Sequence, residues 1–256
     1  RYPWQKWTIA LACLRSRRTI ADERATLRHA DILLAPSERV LEELRKQEGR
    51  TVSKVRVVPN PVEIPDGWQN REAGVPTILL VGRVDVGKGI QYLPHLLEHV
   101  ARKQPEVVLE IAGGDTYARG LGSMQKWLER LLGENARRVR FLGRLNPGQL
   151  DEAYRRAWVV VVPSRWDNFP TAVLEAMARA KPIVASPHGG MREMLGRTES
   201  VIADPATPEF AEAVWSFLDR EPLRRSAGQS GRRKAQEAYA PGVVAAQYVD
   251  AVTSFL

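Results

Sequence analysis

Short apolar runs alternate with longer amphipathic segments along most of the chain. Six runs rich in Val, Ile, Leu and Ala predict strands at Thr77–Val81, Val107–Ala112, Val139–Leu142, Trp158–Val162, Pro182–Ala185 and Ser200–Ile202. Helical spacing predicts helices near residues 89–103, 119–132, 147–157, 171–180, 191–195, 208–219, 222–238 and 242–255. Because short apolar strands that alternate with helices favour a parallel sheet covered on both faces, the pattern predicts an α/β fold.

A shorter pattern of the same kind precedes the first of these strands. Residues 30–37 predict a strand that ends at Ser37, whose hydroxyl can cap the amphipathic helix that follows. Residues 54–58 predict another strand, which Pro59 ends.

The two ends of the chain carry helical patterns of a different character. Residues 1–18 combine aromatic and basic side chains, which indicates either an element on a membrane surface or a helix that packs on an upstream domain. We favour the second interpretation. In the last helix an apolar stripe is predicted to pack against residues 1–62, and its members are Val244, Tyr248, Ala251 and Phe255.

Composition excludes several classes of protein. The chain has 256 residues, of which 44% are hydrophobic and 27% charged, as in an ordinary globular protein of one large or two small domains. No apolar segment approaches the ~20 residues of a membrane span. Cys13 is the single cysteine, so no internal disulfide can form, and we expect a reducing, cytoplasmic setting. No Cys/His cluster has the spacing of a zinc site.

The formal net charge of +8 favours a solvated basic surface. The alternatives are attraction to anionic lipid at the inner membrane face or to phosphate ligands. Nucleic-acid binding finds no motif to support it. Since the sequence begins at Arg1 rather than Met and shows no signal-peptide pattern, we expect upstream residues to be missing from it.

Candidate chemistry lies where the predicted strands end. Arg83 and Lys88 follow the first strand among glycines, which let the backbone approach a ligand closely. Asp167 follows the fourth strand, and Glu175 lies eight positions later in a helix predicted to start near Pro170. The unpaired N–H groups of a helix start favour an anion. A phosphate site flanked by carboxylates that can bind hydroxyls describes a site for a sugar nucleotide.

These stretches resemble retaining glycosyltransferases of the GT-B fold, family 4 (glycosyl transferases group 1). The family motif is a carboxylate, seven residues and a Glu, here found in Asp167–Pro170 and Leu174–Ala178. The first acid is Asp rather than the usual Glu. Gly82–Gly89 resembles the family's Gly-Arg-x5-Lys-Gly stretch, with four rather than five residues between Arg83 and Lys88. The resemblance covers roughly residues 30–250.

The resemblance implies a division of the chain and a role for each matched segment. Residues 1–62 would be the end of an acceptor-side N-terminal domain, 63–76 a linker, 77–240 a Rossmann-like donor-binding domain, and 241–256 a helix that returns towards the N-terminal domain. The implied catalytic residues are Asp167, Glu175, Arg83 and Lys88. The implied donor-binding set contains these four together with Gly82, Gly113, Leu142, Gly143, Arg144, Asn168, Phe169, Pro170 and Thr171.

The resemblance also implies the reaction. A UDP- or GDP-sugar donates its sugar, with retention of anomeric configuration, to a glycan, a lipid-linked sugar or a small molecule. No cofactor and no metal are implied. Arg83 and Lys88 would grip the diphosphate, Glu175 the ribose, and Asp167 the sugar hydroxyls. The alternatives are a donor-binding subunit that needs a partner chain, a nucleotide-sugar epimerase on the same fold, and a basic nucleic-acid-binding module.

Overall fold

A six-stranded parallel sheet organises the molecule. The computed structural model describes residues 20–22, 25–26, 29–48 and 55–254, so the expectations for residues 1–18 and for Phe255 lie outside the described residues. Its strands are β3 (Thr77–Val81), β4 (Val108–Ala112), β7 (Val139–Gly143), β8 (Val159–Val162), β9 (Ile183–Ala185) and β10 (Val201–Ile202). The order of these strands in the sheet is β10-β9-β8-β3-β4-β7, and every pairing is parallel. The predicted α/β fold is confirmed.

Helices cover both faces of this sheet. They are α2 (Leu93–Lys103), α3 (Met124–Leu132), α4 (Pro147–Arg156), α5 (Thr171–Ala178), α6 (Met191–Leu195), α7 (Pro208–Asp219) and α8 (Glu221–Ala238). Successive side chains of a strand point to opposite faces. Ile78 therefore joins one buried cluster with α2, α3 and α7, whereas Leu79 joins another with α4, α5 and α6. This two-sided burial explains why the strands read as continuous apolar runs.

The N-terminal segment forms a small sheet of its own. Strand β1 (Leu33–Ala35) pairs in parallel with β2 (Val55–Val57), and helix α1 (Glu38–Glu48) connects them. The last helix, α9 (Pro241–Thr253), brings Val244 and Ala251 against Val58, beside two partly buried residues of this segment, Ile32 and Leu34. The apolar stripe thus packs on the segment for which it was predicted, although Tyr248 remains 40% exposed. The assignment of domains stays a prediction.

Two helix starts differ from the sequence predictions. The helix predicted from residue 119 begins only at Met124, because β5 (Tyr117–Ala118) and β6 (Gly122–Ser123) form an antiparallel hairpin. Ser123 then caps α3 by accepting a hydrogen bond from the Lys126 N–H at 3.1 Å. The α-helix predicted from residue 89 begins at Leu93, after 3₁₀ turns at Val86–Lys88 and Ile90–Tyr92.

The strand order fixes where a ligand can sit. From β3 the chain moves to β4 and β7 on one side, and it later returns to place β8 on the other side of β3. At such a reversal the connections that follow the two neighbouring strands diverge and leave a crevice at their carboxyl ends. The loops after β3 and β8 carry the two charged motifs.

Candidate functional site

The loop after β3 is shaped to present Lys88. Asp85 caps the 3₁₀ turn, since its carboxylate accepts a hydrogen bond from the Lys88 N–H at 3.1 Å. Gly89 has φ +81°, and a Cβ there would lie 1.9 Å from the Pro163 carbonyl oxygen. The Arg165 N–H donates to the Gly87 carbonyl at 2.9 Å. These contacts hold the loop against the end of β8.

The loop after β8 is held by the glycines that precede α6. Gly189 has φ +72°, and a Cβ there would lie 1.8 Å from the Asp167 carbonyl oxygen. The Gly190 N–H donates to that same oxygen at 3.0 Å. No side chain larger than hydrogen fits at Gly189. The close packing and the hydrogen bond together hold the backbone of Asp167 in place.

Lys88 and Asp167 meet across the crevice. The Lys88 Nζ lies 2.5 Å from the Asp167 Oδ2, although the residues are 79 positions apart in the sequence. The side chains are 30% and 17% exposed, so the ion pair is open to solvent only in part. Partial burial strengthens the attraction relative to bulk water and leaves the ammonium accessible to an incoming anion.

A cavity of about 400 Å³ lies beside this loop system, at the carboxyl ends of β3, β4 and β7. Four predicted donor-binding residues line it, namely Gly82, Arg83, Gly113 and Arg144. Val81, Ala112, Gly114, Leu145 and Leu150, which were not predicted, complete the wall. The volume lies within the range of small-molecule sites. Arg83 is 70% exposed, with its Nε 3.4 Å from the Asp85 Oδ2.

Glu175 lies in the second turn of α5 and is partly buried. Its Oε2 accepts a hydrogen bond from the Tyr154 hydroxyl at 2.9 Å. Burial raises the pKa of the Glu175 carboxyl, while the hydrogen bond from Tyr154 and the charge of Arg179 oppose that rise. Burial also raises the pKa of Tyr154, so the phenol stays protonated and acts as the donor.

The remaining predicted residues are distributed around these groups. Pro170 is the N-cap of α5, so Thr171 is the first residue of the helix. No side chain accepts a hydrogen bond from the N–H groups of its first turn. Phe169 is buried, and its ring meets that of Tyr239 edge to face at 5.7 Å. Leu142 and Gly143 end β7 but do not line the cavity among the described residues.

Asn168 belongs to a second cavity, of about 460 Å³, between the acidic loop and α1. Val40, Glu43, Leu44 and Trp166 line it as well. The Trp166 indole N–H donates to the Asn168 Oδ1 at 2.8 Å. The Ser37 hydroxyl donates to the Asn168 carbonyl at 3.4 Å, which connects the start of α1 to the acidic loop.

Sequence reasoning missed Asp85 and Tyr154. Asp85 lies between Arg83 and Lys88, and an Asp three positions before a lysine in a glycine-rich turn is a signal for a cap. Tyr154 has no such signal, because it lies 21 positions from Glu175 on a different helix.

Neither a metal-binding cluster nor a membrane-spanning helix occurs in the described part of the chain. No group of three or more His, Cys, Asp or Glu side chains there is placed to hold a metal ion. None of the helices within those residues combines the length and the apolar character needed to cross a membrane.

Comparison with known sequences gives a family match. Residues 67–234 match the family described as "Glycosyl transferases group 1". A glycogen synthase of Mycobacterium tuberculosis is 28% identical over 230 residues, which cover 86% of this chain and 53% of that protein. A D-inositol 3-phosphate glycosyltransferase of Xylanimonas cellulosilytica is 30% identical over 250 residues, covering 90% of this chain and 58% of that protein. The chain thus spans less than two thirds of these relatives.

Solved structures show the same fold. A sucrose-phosphate synthase from Thermosynechococcus elongatus superimposes with a TM-score of 0.76 at 25% identity, covering 91% of this chain and 60% of that one. The Anabaena protein HepE, in its complex with UDP, has a TM-score of 0.78 at 18% identity, covering 90% and 65%.

Proposed function

The chain belongs to the glycosyl transferases group 1 family, whose domain is of the GT-B type, and from that premise we propose a retaining, family 4 hexosyltransferase activity. In this proposal a sugar passes from a UDP- or GDP-sugar to a glycan, a lipid-linked sugar or a small-molecule acceptor. One observation supports the assignment above all others, which is the contact of Lys88 with Asp167 at the reversal of strand order. A cation for a diphosphate and a carboxylate for sugar hydroxyls meet at one point.

In the proposed mechanism, charge neutralisation drives the departure of the nucleoside diphosphate. Arg83 and Lys88 supply two cations, and the uncapped start of α5 near Thr171 supplies N–H groups. Such donors act by stabilising negative charge as it develops on the leaving group. Asp167 accepts hydrogen bonds from sugar hydroxyls, with help from backbone N–H groups at Asn168 and Phe169.

The nucleoside occupies the cavity beside Arg83 in this proposal. The base is held by backbone groups of Gly113 in the cavity wall and of Leu142 and Gly143, which directly precede the lining residue Arg144. Arg144 stacks on the base, and Glu175 accepts hydrogen bonds from the ribose. The Arg144 side chain is exposed and lines the cavity, where its planar guanidinium can lie against a base. The acceptor approaches through the second cavity, which Asn168 lines next to Asp167.

The proposal includes no cofactor and no metal, because the two cations can carry the charge of the diphosphate. It includes a cytoplasmic location, which suits a chain with one cysteine. Peripheral contact with the inner membrane face, through the aromatic and basic residues among residues 1–18, is kept as the alternative to the favoured packing of these residues on an upstream domain. A donor-binding subunit and an epimerase remain the alternatives, but the relatives named above do not favour an epimerase.

A donor screen tests this function. UDP- and GDP-sugars are added with an acceptor glycan or lipid-linked sugar, each with and without excess EDTA, and both thermal stabilisation and release of the nucleoside diphosphate are measured. The expected result is stabilisation by one donor, followed by a transfer product that NMR shows to keep the donor's anomeric configuration. An inverted product refutes retention, and loss of release with EDTA refutes metal independence. Absence of stabilisation and release with every donor refutes the function.

A further inference from the structure

We propose that Tyr154 is a positioning residue for the donor nucleotide, whose buried hydroxyl holds the Glu175 carboxylate in the orientation that accepts the ribose hydroxyls. The inference rests on the function proposed above, in which Glu175 binds the ribose. It adds a residue that contacts no ligand itself and acts through its effect on a carboxylate.

The Tyr154 ring is fixed on all sides. It lies in the buried cluster shared by α4, α5 and α6, and none of its surface is exposed. The Arg179 guanidinium carbon lies 5.2 Å from the ring centroid. Because the ring has no room to move, its hydroxyl is a donor at a fixed point, 2.9 Å from the Glu175 Oε2. The Ala172 carbonyl oxygen lies farther from it, at 3.4 Å, so the hydrogen bond to Glu175 is the shorter of the two.

Glu175 has one oxygen fixed and one oxygen free. Within the described part of the chain, Oε2 accepts the Tyr154 hydroxyl and Oε1 has no hydrogen-bond partner. A glutamate side chain loses considerable rotamer freedom when a ligand orders it. Since Tyr154 has already ordered this one, Oε1 can accept a ribose hydroxyl at a lower entropic cost.

The neighbouring charges leave the carboxylate available. Arg179 is the nearest cation, but its Nε and Nη2 donate to the Asp151 Oδ1 at 2.8 and 2.6 Å. The remaining Arg179 nitrogen, Nη1, donates to the backbone carbonyl of Glu175 rather than to its carboxylate. A neutral phenol therefore orients Glu175 without cancelling its charge.

The same hydroxyl opposes the rise in the pKa of Glu175 and so favours the ionised carboxylate. Burial raises the pKa of this carboxyl, and the charge of Asp151 raises it further, whereas Tyr154 and Arg179 lower it. A carboxylate accepts stronger hydrogen bonds than a carboxylic acid does. Loss of the Tyr154 hydroxyl should therefore raise the pKa of Glu175 and extend, towards higher pH, the range in which ribose binding is weak.

A purely structural role for Tyr154 makes a different prediction. Phe fills almost the same volume, so Tyr154→Phe should then affect all nucleotides equally or have no effect. The proposal predicts a selective loss, confined to ligands that carry ribose hydroxyls. The comparison therefore needs ligands with and without those hydroxyls.

The test measures Kd for UDP and GDP and for their 2′,3′-dideoxy forms, in the wild-type protein and in Tyr154→Phe. Wild type should prefer the hydroxylated form of its nucleotide by about tenfold or more, the usual value of hydrogen bonds to a charged acceptor. In Tyr154→Phe this preference should fall at least about threefold, while Kd for the dideoxy form stays unchanged. The exposed Tyr248→Phe serves as the matched control and should behave as wild type.

Two further measurements separate positioning from packing. The pH midpoint below which the preference is lost should be higher in Tyr154→Phe than in wild type. In a Glu175→Gln background, Tyr154→Phe should cause no further loss of preference, because the residue acts through the carboxylate. Equal weakening of both nucleotide forms, or an unchanged preference, overturns the proposal. A wild type that binds UDP or GDP without any preference also overturns it but leaves the diphosphate site standing, whereas a wild type that binds neither overturns the proposed function with it.

Discussion

Asp167 should compete with the donor's diphosphate for Lys88. The two side chains form an ion pair at 2.5 Å, and the diphosphate needs the same ammonium. Asp167→Asn removes the carboxylate charge and keeps a side chain of the same shape. The substitution should therefore tighten the binding of a bare nucleoside diphosphate, although it removes a residue of the proposed site.

The size of the effect follows from the burial of the pair. Opposite charges about 4 Å apart attract by about 1 kcal/mol in water and by about 4 kcal/mol at an effective dielectric constant of about 20. Exposures of 30% and 17% place this pair between those limits, and desolvation offsets part of the gain. A net release of about 1–2 kcal/mol corresponds to about 5- to 30-fold tighter binding of UDP or GDP.

Calorimetry of UDP and GDP with wild type, Asp167→Asn and Asp250→Asn measures this effect. Asp250 lies exposed on α9, so its substitution controls for the loss of one negative charge. In a Lys88→Met background, most of the gain from Asp167→Asn should disappear. Transfer of the sugar should still fall in Asp167→Asn, by more than about tenfold, since the hydrogen bond to sugar hydroxyls is weakened. Unchanged or weaker binding of the diphosphate by Asp167→Asn refutes the competition.

Three other substitutions test the supports of the site. Gly89→Ala should lower the free energy of unfolding by more than about 2 kcal/mol, because φ is +81° and the new Cβ would lie 1.9 Å from the Pro163 carbonyl oxygen. Gly74→Ala is the matched control, since a Cβ there meets nothing within 4 Å. Equal losses of stability for the two variants in urea unfolding would refute this reasoning. Lys181 is buried, and its Nζ donates to the carbonyl oxygens of Arg155 and Ala157 at the end of α4. Burial lowers its pKa to about 7, so the unfolded state binds more protons between pH 7 and the usual 10.5, and stability should rise with pH across that window. Lys181→Met should reduce the increase of the unfolding free energy between pH 7 and 10.5. An unchanged dependence of stability on pH would contradict the lowered pKa of Lys181. Glu175→Ala should weaken nucleotide binding by about 1.5–3 kcal/mol, and unchanged affinity in a folded variant would remove Glu175 from the ribose site.

The sequence allowed the sheet to be predicted because its strands are buried on both faces. A strand such as Val159–Val162 needs apolar residues at every position, and that run is visible without knowledge of its neighbours. The hairpin at residues 117–123 was missed, since its strands have two residues each and carry no periodic signal. The two glycines, Gly120 and Gly122, were the only indication in the sequence that the helix would start later. In the structure they have φ of +85° and +77°, which a helix does not allow.

The site was predictable in its parts but not in its contacts. That Lys88 and Asp167 both follow strands of one parallel sheet could be read from the sequence, and this placed them at one edge. Their pairing depends on strand order and on loop shapes that Gly89 and Gly189 allow. The Tyr154–Glu175 hydrogen bond depends on how α4 packs against α5. The sequence pattern within either helix does not predict that packing.

The central claim is that the crevice at the carboxyl ends of β3 and β8 grips a diphosphate. Titration of UDP, GDP, uridine and guanosine into wild type, Arg83→Ala and Lys88→Ala tests it most directly. The account predicts that each substitution weakens the nucleoside diphosphate by about tenfold or more and leaves the free nucleoside nearly unaffected. An equal loss for both kinds of ligand, or a wild type that binds neither diphosphate, would contradict it.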